Sequence, residues 1–127
     1  MSGIDFLADT NALIYLLDGN GCMKPYLQKS LALSVISEME LLSFHGMTEN
    51  EEYRIKGLIG ACSVLPITES VKSRAIFLRK KYRTKLPDAI VAATAIENGL
   101  ALLTADKGFR QIADLNLILI EPTDAEK

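Results

Sequence analysis

Four acidic residues lie beside apolar segments, where their carboxylates could act together. These residues are Asp9, Glu40, Asp88 and Asp106. In a parallel sheet the carboxyl ends of neighbouring strands meet at one edge, which is where ligands bind. Gathering several carboxylates there is costly, because they repel one another and lose water, unless a cation neutralises them. The pattern therefore predicts a divalent-metal site.

Each of these acids also has an ordinary structural explanation. Ser37-x-x-Glu40 fits a capping box at the start of a helix. Asp88 would complement the dipole of its helix from the first turn, and Asp9 and Asp106 both suit turns. These explanations are adequate one at a time. They are weak together, because all four carboxylates would have to meet at one sheet edge by chance.

The segments predicted to position the acids alternate between strand-length apolar runs and helical patterns. Strands are predicted over 4–8, 31–35, 61–65, 100–103 and 117–120, and helices over 12–17, 37–46, 48–60, 69–82 and 88–98. This alternation is typical of βαβ units. We therefore expect an α/β, three-layer fold in which helices flank a central, mostly parallel, five-stranded sheet.

Several local features are also predicted. Thr10 or Asn11 would cap the first helix, and Gly19 would end it. Tyr53, with Ile55 and Ile59, would form the inner face of the third helix. The helix over 88–98 is apolar almost all round and should be buried. Residues 123–127 are expected to be a loose tail.

Composition predicts one compact domain over residues 1–127. The chain is 49% hydrophobic and 24% charged, and its apolar runs are far shorter than the roughly 20 residues of a membrane span. We expect no membrane association. The N-terminus has no signal-peptide pattern, and Cys22 and Cys62 show no metal-binding spacing, so reduced thiols and a cytoplasmic location are expected. The net charge of −2 by itself argues against a general nucleic-acid coat protein, but the rest of the chain carries +2 if the four acids are metal ligands, so the net charge decides nothing.

The basic residues are unevenly distributed. Seven of the 14 lysines and arginines fall between Ser70 and Pro87, a window without any acid. We predict that some of five contact an RNA backbone close to the acids: Arg79, Lys80, Lys81, Arg83 and Lys85. The alternative is an ordinary solvated helix face.

Taken in order, four short motifs resemble the PIN domain. They are Asp9-Thr10-Asn11, Glu40-Leu41, Asp88-x-x-Val91-Ala92-Ala93-x-Ala95 and Thr104-x-Asp106-x-x-Phe109. More narrowly, they resemble the VapC-type toxins of toxin–antitoxin pairs. One departure concerns the glycine that such proteins often have four residues after the second-motif Glu. Here that position is Phe44, and Gly46 follows two residues later.

The resemblance implies a metal-dependent endoribonuclease that is the toxin of such a pair. Its ligand set would be Asp9, Glu40, Asp88 and Asp106, binding directly or through water, with Thr10, Asn11 and Thr104 orienting them. All-oxygen ligands select Mg²⁺ or Mn²⁺. The resemblance also implies an RNA substrate, an antitoxin whose tail covers the site, and a homodimer.

Other functional classes remain open at this stage. A PIN-type nuclease could process RNA outside a toxin–antitoxin pair, although the compact length favours the toxin. A non-catalytic module could bind RNA or protein, although the complete set of acids argues against it. A single histidine, His45, cannot supply both the acid and the base of a metal-free ribonuclease, and it is expected to be an ordinary surface or helix-end residue.

Overall fold

The computed structural model describes residues 3–123, which form five strands, five α-helices and two 3₁₀ helices. The strands are β1 (Phe6–Ala8), β2 (Leu31–Ser34), β3 (Ser63–Leu65), β4 (Ala101–Thr104) and β5 (Leu117–Leu119). The α-helices are α1 (Thr10–Leu17), α2 (Val35–Leu42), α3 (Glu49–Gly60), α4 (Glu69–Lys81) and α5 (Leu86–Glu97). The 3₁₀ helices cover Gly21–Tyr26 and Lys107–Gln111.

The sheet has the strand order β3-β2-β1-β4-β5, and each pairing between these strands is parallel. The predicted α/β fold with a five-stranded sheet is therefore confirmed, and the described strands are entirely rather than mostly parallel. The chain moves outwards from β1 in one direction and then returns to add β4 on its other side. Such a reversal of strand order opens a crevice at the carboxyl ends of the two central strands.

Helices cover both faces of this sheet. Along β1 the side chains alternate, so that Leu7 belongs to one apolar cluster while Phe6 and Ala8 belong to the other. The first cluster contains the buried faces of α4 and α5, and the second contains those of α1 and α3. The sheet is thus buried between two helical layers, with β1 as its central strand.

The starts of α1 and α2 differ from the predicted ones. Asp9 rather than Thr10 or Asn11 caps α1, and Ser34 caps α2 by accepting a hydrogen bond from the backbone N–H of Ile36. Each cap is the last polar residue before the helix, so the helix begins as soon as the strand ends. Ser37 is therefore buried inside α2, and the predicted capping box that ends at Glu40 does not form.

Other corrections concern α3 and the ends of elements. Tyr53 does not lie on the inner face of α3 but is 79% exposed, because it is about 200° around the helix from the buried Ile55. The helix predicted to continue to residue 46 ends at Leu42, which leaves Phe44 in a loop. Strands predicted over 61–65 and 117–120 are shorter by one or two residues, and α5 begins two residues earlier than predicted.

The predicted loose tail begins at a residue that is well anchored. Asn20 accepts hydrogen bonds from the backbone N–H and the hydroxyl of Thr123 and donates one to its carbonyl oxygen. Residues 124–127 lie outside the described part of the chain. Within residues 3–123, no helix is long and apolar enough to cross a membrane, and Cys22 and Cys62 are free thiols.

Candidate active site

The four predicted acids line one open cleft of about 530 Å³ at the carboxyl edge of the sheet. Asp9 follows β1 and caps α1, while Asp106 follows β4 and caps the second 3₁₀ helix. Glu40 lies in the last turn of α2, and Asp88 lies in the first turn of α5. Four distant segments of sequence therefore contribute carboxylates to one cleft, as the strand-end argument predicts.

Asp9 is the most deeply placed of the four, with only 8% of its surface exposed. Its Oδ1 accepts a hydrogen bond of 2.8 Å from the backbone N–H of Thr10. Its Oδ2 accepts bonds from the Thr104 hydroxyl, at 2.8 Å, and from the Asn11 amide, at 3.3 Å. These bonds hold the Asp9 carboxylate in one orientation.

Thr104 connects the ends of the two central strands. Its side chain is fully buried, and its hydroxyl donates to Asp9 while accepting from the Asn11 amide, at 3.2 Å, and from the backbone N–H of Asp106, at 3.1 Å. The side-chain oxygen of Asn11, Oδ1, accepts a hydrogen bond of 3.0 Å from the backbone N–H of Ala105. Asn11 and Thr104 therefore join the loop after β4 to the start of α1.

The remaining acids are also held by local contacts. The Thr10 hydroxyl donates to Oε1 of Glu40, which joins α1 to α2. Oδ1 of Asp106 accepts from the backbone N–H of Gly108 at 2.8 Å. A Cβ atom at position 108 would lie 3.1 Å from that oxygen, so a glycine leaves room for the carboxylate. The three residues predicted to orient the acids each make a hydrogen bond to one of them: Thr10 to Glu40, and Asn11 and Thr104 to Asp9.

The buried carboxylates resist ionisation. Burial raises the pKa of Asp9 to about 6, with added repulsion from Asp88 and Glu40, although hydrogen bonds from Thr104 and Thr10 oppose the rise. The pKa of Asp88 is also raised, first by burial and then by the charge of Asp106. Without a cation, the ionised forms of Asp9 and Asp88 are disfavoured where they stand.

This donor set suits a hydrated hard cation rather than a fully dehydrated one. Among residues 3–123, no group of three or more acidic, histidine or cysteine side chains is arranged to enclose a metal ion directly. Mg²⁺ and similar ions usually keep several waters and bind through one or two carboxylates. The all-oxygen chemistry, the raised pKa values of Asp9 and Asp88 and the open cleft all fit an ion held in that way.

Of the five basic residues predicted to contact RNA, two lie next to the acids. Arg83 and Lys85 line a cavity of about 240 Å³ together with Asp88 and Asp106. They also line a larger groove of about 790 Å³ between α4 and α5, where Arg79 and Lys80 join them. Lys81 lies instead over the rings of Phe77 and Tyr82, at 5.6 and 5.3 Å.

The cleft also contains residues to which sequence reasoning gave no role. Ser43, Phe44 and His45 line it together with the acids. They follow the end of α2, a few residues beyond Glu40, and this closeness in sequence could have indicated that they line the same cleft. It was missed because the helix was predicted to continue through them. His45 is an exposed loop residue, which agrees with the expectation of a surface residue and not with that of a helix end.

Comparison with known proteins gives the family. The PIN domain family matches residues 6–115. The structure is similar to a toxin–antitoxin complex from Klebsiella pneumoniae, with 31% identity over 90% of this chain and 96% of that one and a TM-score of 0.77. A comparison with curated proteins finds no significant match.

More distant structures share the fold. VapBC-1 from nontypeable Haemophilus influenzae is 23% identical over 91% of this chain and 98% of that one, with a TM-score of 0.76. VapBC2 from Rickettsia felis, bound to a DNA fragment from its promoter, is 17% identical over 93% and 100%, with a TM-score of 0.80. The VapC-type resemblance of the motifs is in keeping with these structures. On the evidence of the family match and of the relative from Klebsiella, the chain belongs to the PIN domain family.

Proposed function

We propose that this protein is a Mg²⁺- or Mn²⁺-dependent endoribonuclease and the toxin of a toxin–antitoxin pair. One observation carries the proposal: carboxylates from four separate segments line a single cleft at the switch point of a PIN-family sheet. The separate explanations of the four acids as helix caps, dipole partners and turn residues do not predict that they meet. The reaction is hydrolysis of an RNA phosphodiester bond.

In this proposal Asp9 and Asp88 hold the cation directly, because they are the carboxylates for which burial disfavours an unneutralised charge. Glu40 and Asp106 are more exposed and would bind it directly or through water. A bound Mg²⁺ or Mn²⁺ supplies a more acidic water as nucleophile and neutralises charge on the phosphate. Thr104 holds Asp9 in a fixed orientation, as neighbours of metal ligands generally do.

The groove between α4 and α5 is the proposed path of the RNA backbone. Its walls carry Arg79, Lys80, Arg83 and Lys85, none of which pairs with an acid among the described residues. Arg83 and Lys85 continue into the cavity that contains two of the cleft acids. A strand bound along these cations would bring a phosphate to the carboxylates.

The proposed protein partner is an antitoxin whose tail covers the cleft. The relative from Klebsiella is a toxin–antitoxin complex, which supports this partner. Next to the acid cleft is a cavity of about 360 Å³ whose wall combines apolar side chains, among them Leu17, Leu41 and Met47, with the charged Glu51 and Arg54, which suits an amphipathic segment of such a tail. We further propose a homodimer that acts on cytoplasmic RNA, and sedimentation would test its oligomeric state.

The proposal is tested by cleavage of a labelled single-stranded RNA by the purified protein. We expect cutting with Mn²⁺, none with EDTA, and a loss of at least about a hundredfold in Asp9→Asn. The control is Asp18→Asn, which removes an exposed carboxylate at the other end of α1 and should cut normally. Cutting that survives both EDTA and Asp9→Asn would reject the metal mechanism, and no cutting under any condition would favour a non-catalytic PIN module.

A further inference from the structure

Phe44 is an aromatic side chain that the fold leaves uncovered at the mouth of the acid cleft. It is 48% exposed and belongs to neither apolar cluster of the described core. It lines the same cleft as Asp9 and Asp88. Other large apolar side chains are also exposed, but Phe44 is distinguished by its position beside the acids, where covering its ring would favour a ligand with an apolar face.

The loop that carries Phe44 is fixed at both ends. On one side the Ser43 hydroxyl donates to the carbonyl oxygen of Met39 at 2.7 Å. On the other, Gly46 has a φ of +79°, which turns the chain, and Thr48 begins α3 with a capping box. The ring of Phe44 is thus attached to a backbone that is anchored on either side, which lowers the entropy cost of ligand binding.

The polar side chains around Phe44 already have partners. Thr10 donates to Glu40, and Asn11 is bonded to Asp9, to Thr104 and to the loop after β4. By contrast, neither Phe44 nor His45 has a side-chain hydrogen bond or ring contact with another residue of the described chain. Both rings therefore remain available to an incoming group.

We propose that Phe44 is a stacking platform for an unpaired RNA base beside the scissile phosphate, with His45 at its edge. This inference rests on the proposed ribonuclease function and adds a substrate subsite to it. A phosphate that reaches the carboxylates brings its own nucleoside with it, and the cleft of about 530 Å³ is far larger than a phosphate needs. Bases have flat apolar faces that stack on aromatic side chains whatever their sequence. Phe44 and His45 also line the neighbouring cavity that we assign to the antitoxin tail. The stacking platform is therefore proposed for the free toxin, in which no tail covers Phe44.

The test compares Phe44→Ala and Phe44→Tyr on a fluorogenic single-stranded RNA in Mn²⁺. Stacking of one base on an aromatic ring corresponds to a loss of about 5- to 150-fold in kcat/KM for Phe44→Ala. Phe44→Tyr keeps the ring and should retain most of the activity. The matched control is Tyr53→Ala, which removes a more exposed ring, on α3, that does not line the cleft. Melting temperature and Mn²⁺ affinity should be unchanged in all three variants.

Abasic substrates separate stacking from a structural effect. Once the cut position is mapped, the same RNA is made with an abasic ribose on either side of it. If Phe44 stacks on one of these bases, Phe44→Ala should reduce cleavage of that abasic RNA by less than about twofold, because the partner of the ring is already missing. An equal loss on every substrate, or no loss on any, would overturn the inference.

Antitoxin inhibition and RNA binding without metal give two further tests of the role of Phe44. If Phe44→Ala cuts normally but is no longer inhibited by the antitoxin, then Phe44 contacts protein and the inference is wrong. Binding of the RNA in EDTA, measured by fluorescence anisotropy, gives a readout that does not need cleavage. If the wild-type protein never cuts RNA but Phe44→Ala binds RNA more weakly than the wild type does, the stacking platform stands and the nuclease function is rejected. If the wild type never cuts and both proteins bind RNA equally, both proposals are rejected.

Discussion

Replacing Asp9 by asparagine should stabilise the metal-free protein. At neutral pH the Asp9 carboxylate is ionised although its surroundings favour the protonated form, because burial raises its pKa from 3.8 to about 6. At 1.36 kcal/mol per pKa unit, this shift corresponds to about 3 kcal/mol of lost stability at pH 7.5. Asparagine removes the charge and keeps the shape, but its NH₂ group cannot accept the bonds that Oδ2 accepts, at a cost of about 1 kcal/mol. We expect a net gain of about 2 kcal/mol.

The effect should depend on pH in one direction. For an acid whose pKa is raised by folding, the stability contribution is fully present below its unfolded pKa and is lost as pH rises through the folded value. The penalty of Asp9 therefore develops between about pH 4 and pH 6. The free energy of unfolding of Asp9→Asn should exceed that of wild type at pH 7.5 and lose this advantage at pH 4.

Urea unfolding in EDTA across this pH range measures the effect, and Asp18→Asn is the control. Added Mn²⁺ should stabilise the wild type, since an ion that binds only the folded state shifts its stability by mass action. It should stabilise Asp9→Asn much less. An Asp9→Asn protein that is less stable than wild type at pH 7.5 without metal would refute the electrostatic reasoning, because it would mean that the hydrogen bonds of Asp9 outweigh its charge.

Two other substitutions test the supports of the site. Thr104→Val removes the hydroxyl that holds Asp9, so we expect a loss of about 1–3 kcal/mol in urea unfolding and roughly tenfold weaker Mn²⁺ binding by calorimetry; unchanged Mn²⁺ affinity would remove Thr104 from the metal site. Replacing Lys80 and Lys81 together by alanine should weaken RNA binding and flatten the plot of log affinity against log salt by up to about 1.4, or about 0.7 for each phosphate that a lysine no longer neutralises. A slope equal to that of wild type would show that neither lysine binds the RNA backbone.

The fold could be predicted from the sequence because its signals are strong and repeated. Each strand of the sheet is a short apolar run, and α5 is apolar on nearly every side, as a central helix must be. The meeting of Asp9 and Asp106 followed from the same pattern, since strand ends of a parallel sheet share an edge, whereas Glu40 and Asp88 are brought to that edge by α2 and α5. What failed were the boundaries. Ser34 and Ser37 are both residue types that cap helices and both are buried, but Ser34 makes the cap hydrogen bond, to the backbone N–H of Ile36.

Other features depend on contacts that no local pattern reveals. The bond from Thr10 to Glu40 joins residues 30 positions apart, and that from Thr104 to Asp9 joins residues 95 apart. The position of Phe44 was missed for a different reason. An apolar residue after an apolar helix is most simply read as part of its buried face, whereas α2 ends two residues earlier and leaves the ring in the cleft. The metal-binding and RNA-binding roles of the side chains remain predictions.

The most direct test of the central claim, that the four acids share a hard cation, is a crystal structure of the protein soaked in Mn²⁺, with anomalous scattering used to locate the ion. We predict one or two Mn²⁺ ions in the cleft, with carboxylate oxygens of Asp9 and Asp88 in the coordination sphere and with Glu40 and Asp106 bound directly or through water. Mn²⁺ bound only elsewhere, or an empty cleft at millimolar Mn²⁺ and neutral pH, would contradict it.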